Sequence, residues 1–268
     1  MQLADHSELF AVMTELWTLV DKLAVVEPDA LRLPPADTGI HPVTSFDADA
    51  ALAAGFAQDA VLVMSALPYL HDSEPDMGQR TIEIVGSTFP LSYLHFDEDN
   101  FTYMREMSSD ETIMPPSALR LTWQDFNGWE YIYDAEKQLV YVWNPINDDG
   151  DDFLHLQPLP PRQAFQSLLD DFRGLHRVAL PRDRFVRTNE DSSPKRWQSK
   201  TETEHQASYN LWKATTGLAG LYLECGWAVN AVAQTNFRSS EFVDKRTKYV
   251  TEVLEPLDQE LDKARQST

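Results

Sequence analysis

The stretch 119–145, LRLTWQDFNGWEYIYDAEKQLVYVWNP, constrains this chain more than any other, because its pattern leaves little room for anything but antiparallel β-structure. Three runs within it, 119–123, 129–133 and 139–143, are rich in aromatic and β-branched residues, which suit a pleated, half-buried surface. Trp129, Tyr131 and Tyr133 alternate with Glu130 and Ile132. Leu139, Tyr141 and Trp143 alternate with Val140 and Val142, so the third run predicts a strand that is apolar on both faces. Asn127-Gly128 can supply positive φ, and 134–137 (DAEK) suits a four-residue turn around a type I bend. Pro145 cannot donate to a ladder and closes the last strand. The stretch predicts a three-stranded antiparallel meander.

Helical patterns flank it. Leu9, Val12, Met13, Leu16, Leu19, Val20 and Leu23 recur at helical spacing, predicting a helix over 7–25 with Ser7 as its cap. A Pro-rich connector follows (27–42). A helix pair is predicted over 47–67, with Asp47 or Asp49 capping, Gly55 at a left-handed helix end and Pro68 as the stop. Residues 81–85 form a short β-run, while 95–99 (HFDED) and 104–116 are predicted as loop and coil. Pro161 suits the first turn of a helix over 161–175 that carries Phe165, Leu168, Leu169 and Phe172 on one face. Residues 178–187 are predicted as an extended linker and 188–204 as an exposed loop. Two long helices follow, over 204–224 and 240–263. Gly226 stops the first, whose Ala214, Gly217, Ala219 and Gly220 predict close packing against another backbone. Pro256 kinks or splits the second. The expected fold is therefore α+β: an antiparallel sheet centred on the meander at 119–145, helices packed against it, and a helical C-terminal part. The expected division is a domain over 1–187, a linker over 188–204 and a helical pair over 205–268.

Charge is unevenly distributed. Residues 1–161 hold 6 Lys+Arg against 28 Asp+Glu, whereas 162–268 hold 16 against 15. Such a field repels nucleic acid and anionic lipid and attracts basic partners, although a solvated acidic surface that favours solubility explains much of it. No apolar run is long enough to span a bilayer, so no membrane partner is expected. The acidic N-terminus lacks the basic flank of a signal peptide, and the single Cys225 excludes an internal disulfide; a cytoplasmic location is expected.

Motifs for chemistry are weak. Neither GxGxxG nor GxxxxGK occurs, GxSxG is absent, and the seven histidines show no HExxH spacing, so no cofactor and no metal are expected. His95 and Asp97 could act as acid and base, and His71 sits in a similar cluster with Asp72, Glu74 and Asp76; both also match the general acidity of this half. Asp148, Asp149, Asp151 and Asp152, beside His155, supply oxygen ligands without the spacing of an EF-hand, and a solvated turn fits them better. Cys225 falls near a helix C-terminus, where the dipole raises a thiol pKa; it is expected to be structural. Lys195-Arg196-Trp197 could contact a phosphate, but the chain is too acidic for a general nucleic-acid binder.

The segment Gly128-Trp129-Glu130-Tyr131-Ile132-Tyr133-Asp134, then Leu139-Val140-Tyr141-Val142-Trp143, then an acidic turn and Ala164-Phe165-Gln166-Ser167-Leu168-Leu169, resembles the C-terminal half of a SUKH-type domain over 119–175. That family includes fungal regulators of cell-wall synthesis and bacterial toxin-immunity proteins. The resemblance implies helices on one side of an antiparallel sheet and protein binding without catalysis, and it carries over no catalytic residue. The family's N-terminal Leu-Pro helix leading into an Asn-Gly loop has no counterpart here beyond Leu33-Pro34-Pro35, and the helices after residue 200 are additional. The overall layout is also similar to uncharacterised fungal proteins, which implies no function.

Two functions are therefore expected as alternatives. One is a non-enzymatic regulatory protein that binds a partner with a basic surface through Asp97, Glu98 and Asp99 and through Asp148, Asp149, Asp151 and Asp152. The other is an enzyme whose pocket between sheet and C-terminal helices is lined by Trp123, Trp129, Tyr131, Trp143 and Trp227, with His95 or Asp97 as acid or base. The sequence leaves the oligomeric state open.

Overall fold

A computed structural model describes residues 2–24, 30–70, 82–107, 113–125, 127–148, 152–180, 184–188 and 193–267. The chain forms two compact units, one of Met1–Asp21 and Val26–Ser167, the other of Lys22–Val25 and Leu168–Thr268. The division falls inside a helix, after Ser167, rather than at residue 187. The loop expected over 188–204 belongs to the second unit.

The first unit opens on a 3-10 turn, Leu3–His6, which runs directly into helix α1, Ser7–Ala24. Ser7 is thus not a cap. Gln2 and Asp5 close the N-terminus instead, the Gln2 amide donating to the Asp5 carboxylate. Leu9, Val12, Leu16, Val20 and Leu23 on α1 are fully buried, each such side chain contributing about 1.5–3 kcal/mol. Strand β1 is Leu31–Arg32. Helices α2, Ala48–Ala53, and α3, Gln58–Ala66, follow, with the Asp47 carboxylate accepting from the Ala50 amide and Gly55 at φ +90° between them. Strand β2, Tyr69–Leu70, pairs with β1.

Beyond residue 81 the structure departs from expectation. Ile82 and Ile84 are buried, but only single bridges form there, and the strand is β3, Thr88–Pro90. The stretch after His95 is not loop and coil throughout: it forms helix α4, Glu98–Arg105. The first run of the meander splits into β4, Ala118–Arg120, and β5, Thr122–Gln124. The split has a local cause. The Tyr131 amide donates to the Thr122 hydroxyl in place of a ladder carbonyl, and β5 turns away to pair with β3. Strands β6, Glu130–Asp134, and β7, Leu139–Trp143, form the hairpin expected, and the sheet order is β4-β6-β7, antiparallel throughout. The strand buried on both faces is the central β6, all five of whose residues are buried, whereas Leu139 and Val142 on β7 are half-buried. Helix α5, Pro161–Arg173, crosses from this unit into the second; its Phe165 stacks on Tyr131 at 4.5 Å between ring centroids.

In the second unit the extended linker expected over 178–187 is a hairpin, β8, Arg177–Leu180, against β9, Arg184–Arg187. Helix α6, Glu202–Glu224, is capped by Thr201, whose hydroxyl accepts from the Glu204 amide, and stops at Gly226 with φ +93°. Of its small residues, Gly217 admits a side chain rather than a backbone, Tyr249 reaching over it to donate to the Ala214 carbonyl at 2.7 Å, while Gly220 faces open space. Ahead of Pro256 the last helix is interrupted by a π-turn without losing its helical course. Helix α7, Ser239–Tyr249, passes through a π-turn, Val250–Leu254, into α8, Glu255–Gln266. The widened turn lies just ahead of the proline, where its ring and missing N–H disturb the regular i→i−4 bonding.

Candidate functional site

The acidic residues predicted to bind a partner are surface features of the first unit. Asp97, Glu98 and Asp99 are all exposed at the start of α4. The Asp97 carboxylate accepts from the Asn100 amide at 2.9 Å, and the Asn100 side chain accepts from the Asp97 amide in return, a reciprocal capping box. Asp97 thus has a structural role that leaves its outward face in solvent, and Glu98 and Asp99 are the acids of the first turn, favoured there by the helix dipole. His95 is exposed at φ +64°, with its amide donating to the Ser45 carbonyl.

The second acidic group behaves differently. The Asp148 carboxylate accepts from the Asn144 amide at 2.6 Å, and Asn144 Oδ1 accepts from the amides of Ile146 and Asn147. Asp152 accepts from the Leu154 amide and stands 3.9 Å from His155. Both carboxylates hold turns. Asp149 and Asp151 lie outside the described residues, as do His71, Asp72, Glu74 and Asp76. Among the described residues, no three His, Cys, Asp or Glu side chains converge as a metal ion would need.

The aromatic residues do not form one group. Trp143, 1 % exposed, packs with Met107, Tyr141 and Phe153 in the core below the sheet. Tyr131 is buried against Phe165. Trp123, half-buried, lies tilted against Tyr103. Trp129, also half-buried, has its amide bound by the Thr88 hydroxyl. Trp227 belongs to the second unit, where it packs edge-on to Tyr222 and Phe237 and its indole donates to the Arg173 carbonyl. Cys225 is buried; burial raises its thiol pKa, and the nearby Glu241 carboxylate adds to that.

Polar groups that sequence reasoning passed over are the ones that tie the first unit together. The buried Arg120 guanidinium donates to Glu130 at 2.9 Å and to the carbonyls of Met104 and Glu106 at 2.9 and 2.7 Å. The Tyr93 hydroxyl accepts from the Arg120 amide and donates to its carbonyl. Arg105 donates to the carbonyls of Ala54 and Met114, and burial lowers its pKa. Lys137 pairs with Asp134 at 2.9 Å, and Arg162 with Glu15 at 2.6 Å. His6, almost wholly buried, meets the Tyr133 hydroxyl at 2.7 Å. A signal for the first pair was available: Arg120 and Glu130 are single opposite charges in two otherwise apolar runs, two residues out of register in a ladder that pairs Arg120 with Ile132.

One consequence is electrostatic. Arg105 and Arg120 are bound to carbonyls and a carboxylate of their own unit and Lys137 and Arg162 pair with carboxylates at its surface, while Arg32 is exposed, so that among the described residues of the unit exposed acids outnumber exposed cations. No helix among the described residues is long and apolar enough to cross a membrane. Comparison with known proteins finds no matching family model, no matching curated protein and no matching solved structure.

Proposed function

We propose that this protein is a non-enzymatic binding protein whose first unit engages a basic protein surface through the exposed acids of the first turn of α4. The observation that supports this reading most is the exposure of Asp97, Glu98 and Asp99 in a unit whose Arg105 and Arg120 are turned inward and whose Lys137 and Arg162 are paired with carboxylates. An acidic face with few competing positive charges steers a basic partner and holds it by salt-sensitive contacts. The SUKH-type resemblance points to protein binding as well. The packing of Tyr131 and Trp143 into the core gives the aromatic-pocket alternative less to stand on.

The test is affinity capture with two charge-reversed variants. The first carries Asp97→Asn, Glu98→Lys and Asp99→Lys; asparagine at 97 retains a capping side chain. The second reverses the exposed acids Asp258, Glu260 and Asp262 on α8. Partners should be released by raised salt, lost from the first variant and retained by the second. Partners retained equally by both variants, and insensitive to salt, would overturn the proposal.

A further inference from the structure

We propose that Ser193 is a phosphorylation site for a proline-directed serine/threonine kinase. Ser193-Pro194 is the only place in the chain where one of its 16 prolines follows a serine or threonine. Kinases of this class take proline directly after the acceptor because a groove with no acceptor there leaves any other residue's N–H unsatisfied, and proline has none. Many also favour a basic side chain two or three residues further on, and here those positions are Lys195 and Arg196.

The structure leaves the residues that follow the acceptor accessible. Lys195 has extended backbone, φ −94° and ψ 145°, and the short 3-10 turn Arg196–Gln198 that follows has no buried residue. Lys195 and Arg196 are exposed, and Trp197 is 82 % exposed. Ser193 and Pro194 are half-buried, with the Ser193 hydroxyl accepting from the Lys195 ammonium at 3.4 Å. No strand or helix has to open to release the acceptor. In the transfer, Ser193 Oγ attacks the γ-phosphorus of Mg-ATP. The new O–P bond forms as the bond to the β,γ-bridging oxygen breaks, ADP leaves, and the hydroxyl proton passes to the kinase's base.

The product has a local receptor. A phosphate carries a charge of about −1.5 to −2 and three acceptor oxygens. Lys195 is already within reach. Arg196 is held to Glu202 at 2.8 Å with both side chains half or more exposed, a pairing weak enough for a dianion to displace. Glu202 is the first residue of α6, so the phosphate would change the charge at that helix start. This site lies in the second unit and does not depend on the acidic face of the first.

The test is incubation of the full chain with a cyclin-dependent kinase and Mg-ATP, read by intact and fragment mass. One phosphoryl group should be gained, located at Ser193, and lost in Ser193→Ala. Pro194→Ala, which keeps the acceptor, should lower kcat/KM about tenfold or more, and Lys195→Ala with Arg196→Ala several-fold. Incorporation unchanged in Ser193→Ala or in Pro194→Ala overturns the proposal. So does failure of the full chain to react when a synthetic peptide of the same stretch does. Circular dichroism of each variant separates loss of the site from loss of fold.

Discussion

The Arg120 guanidinium and the Glu130 carboxylate meet at 2.9 Å on adjacent strands with side chains only 4 % exposed each. Two charges removed from water in this way cost several kcal/mol, which their mutual attraction and additional hydrogen bonds must offset. Arg120 meets that demand with the carbonyls of Met104 and Glu106, which end α4 and follow it. The pair therefore fastens α4, and with it the acids at its start, to the sheet. Arg120→Ala and Glu130→Ala should each destabilise the first unit by about 3–5 kcal/mol, read as a lower urea midpoint. The double variant should lose clearly less than the two singles combined, because neither charge is left buried alone. Strict additivity would show that the two side chains act independently.

Titration gives two separate windows. Burial lowers the pKa of His6 below its ordinary 6.5, although Asp5 and Asp59 act the other way. Unfolding then lets this imidazole take up a proton, so its contribution is complete above pH 6.5 and is lost as pH falls from there toward the folded value. His41 has the same sign, its burial outweighing the raising effect of the bond between Nε2 and the Leu67 carbonyl. For Asp134, burial pushes the carboxyl up, but hydrogen bonds from Lys137 and Ser117 outweigh it and hold the pKa below its ordinary 3.8. Its contribution is present above pH 3.8 and lost as pH falls through the lower folded value. Replacing His6 by Gln should flatten only the upper part of a stability–pH curve, and Asp134→Asn only the lower. A variant curve parallel to the wild type in its window would contradict the assignment.

Three glycines separate close approach from helix propensity. A Cβ on Gly128 would meet the Ser87 carbonyl oxygen and the Gln124 side chain, so Gly128→Ala should break the turn ahead of β6. A Cβ on Gly217 would meet the Tyr249 hydroxyl at 2.5 Å, and Gly217→Ala should displace that side chain at the cost of its bond to Ala214. Gly220 has nothing within 4 Å, so Gly220→Ala should raise stability by up to about 1 kcal/mol. Thermal melts of the three variants give the ranking; a stabilised Gly128→Ala would contradict the packing described.

Much of this architecture was legible residue by residue. The hairpin of β6 and β7 showed in its alternation and turn chemistry, Asp47 and Gly55 announced the ends of α2, and Phe165 to Phe172 marked the apolar face of α5. What escaped was structure specified by partners distant in sequence. Helix α4 has few apolar residues; Asp97 and Asn100 signal its cap, but Arg105 and Arg120 hold its far end through carbonyls nine or more residues away. The β8–β9 hairpin has Arg177 and Arg187 opposite each other, a pairing that no local rule favours and that Asp171 compensates from α5. The strand break at Leu121 depends on one hydroxyl, Thr122. Asp97 and Asp148 stood out as acids, yet a carboxylate that caps a helix and one that holds a turn have the same composition as one that binds a partner.

The binding proposal is tested most directly by titrating the purified protein with its most strongly captured basic partner while following backbone amides by NMR. The proposal predicts shifts centred on Asp97–Arg105 and an affinity that falls steeply as salt is raised. Shifts confined to the second unit, or an affinity indifferent to salt, would contradict it.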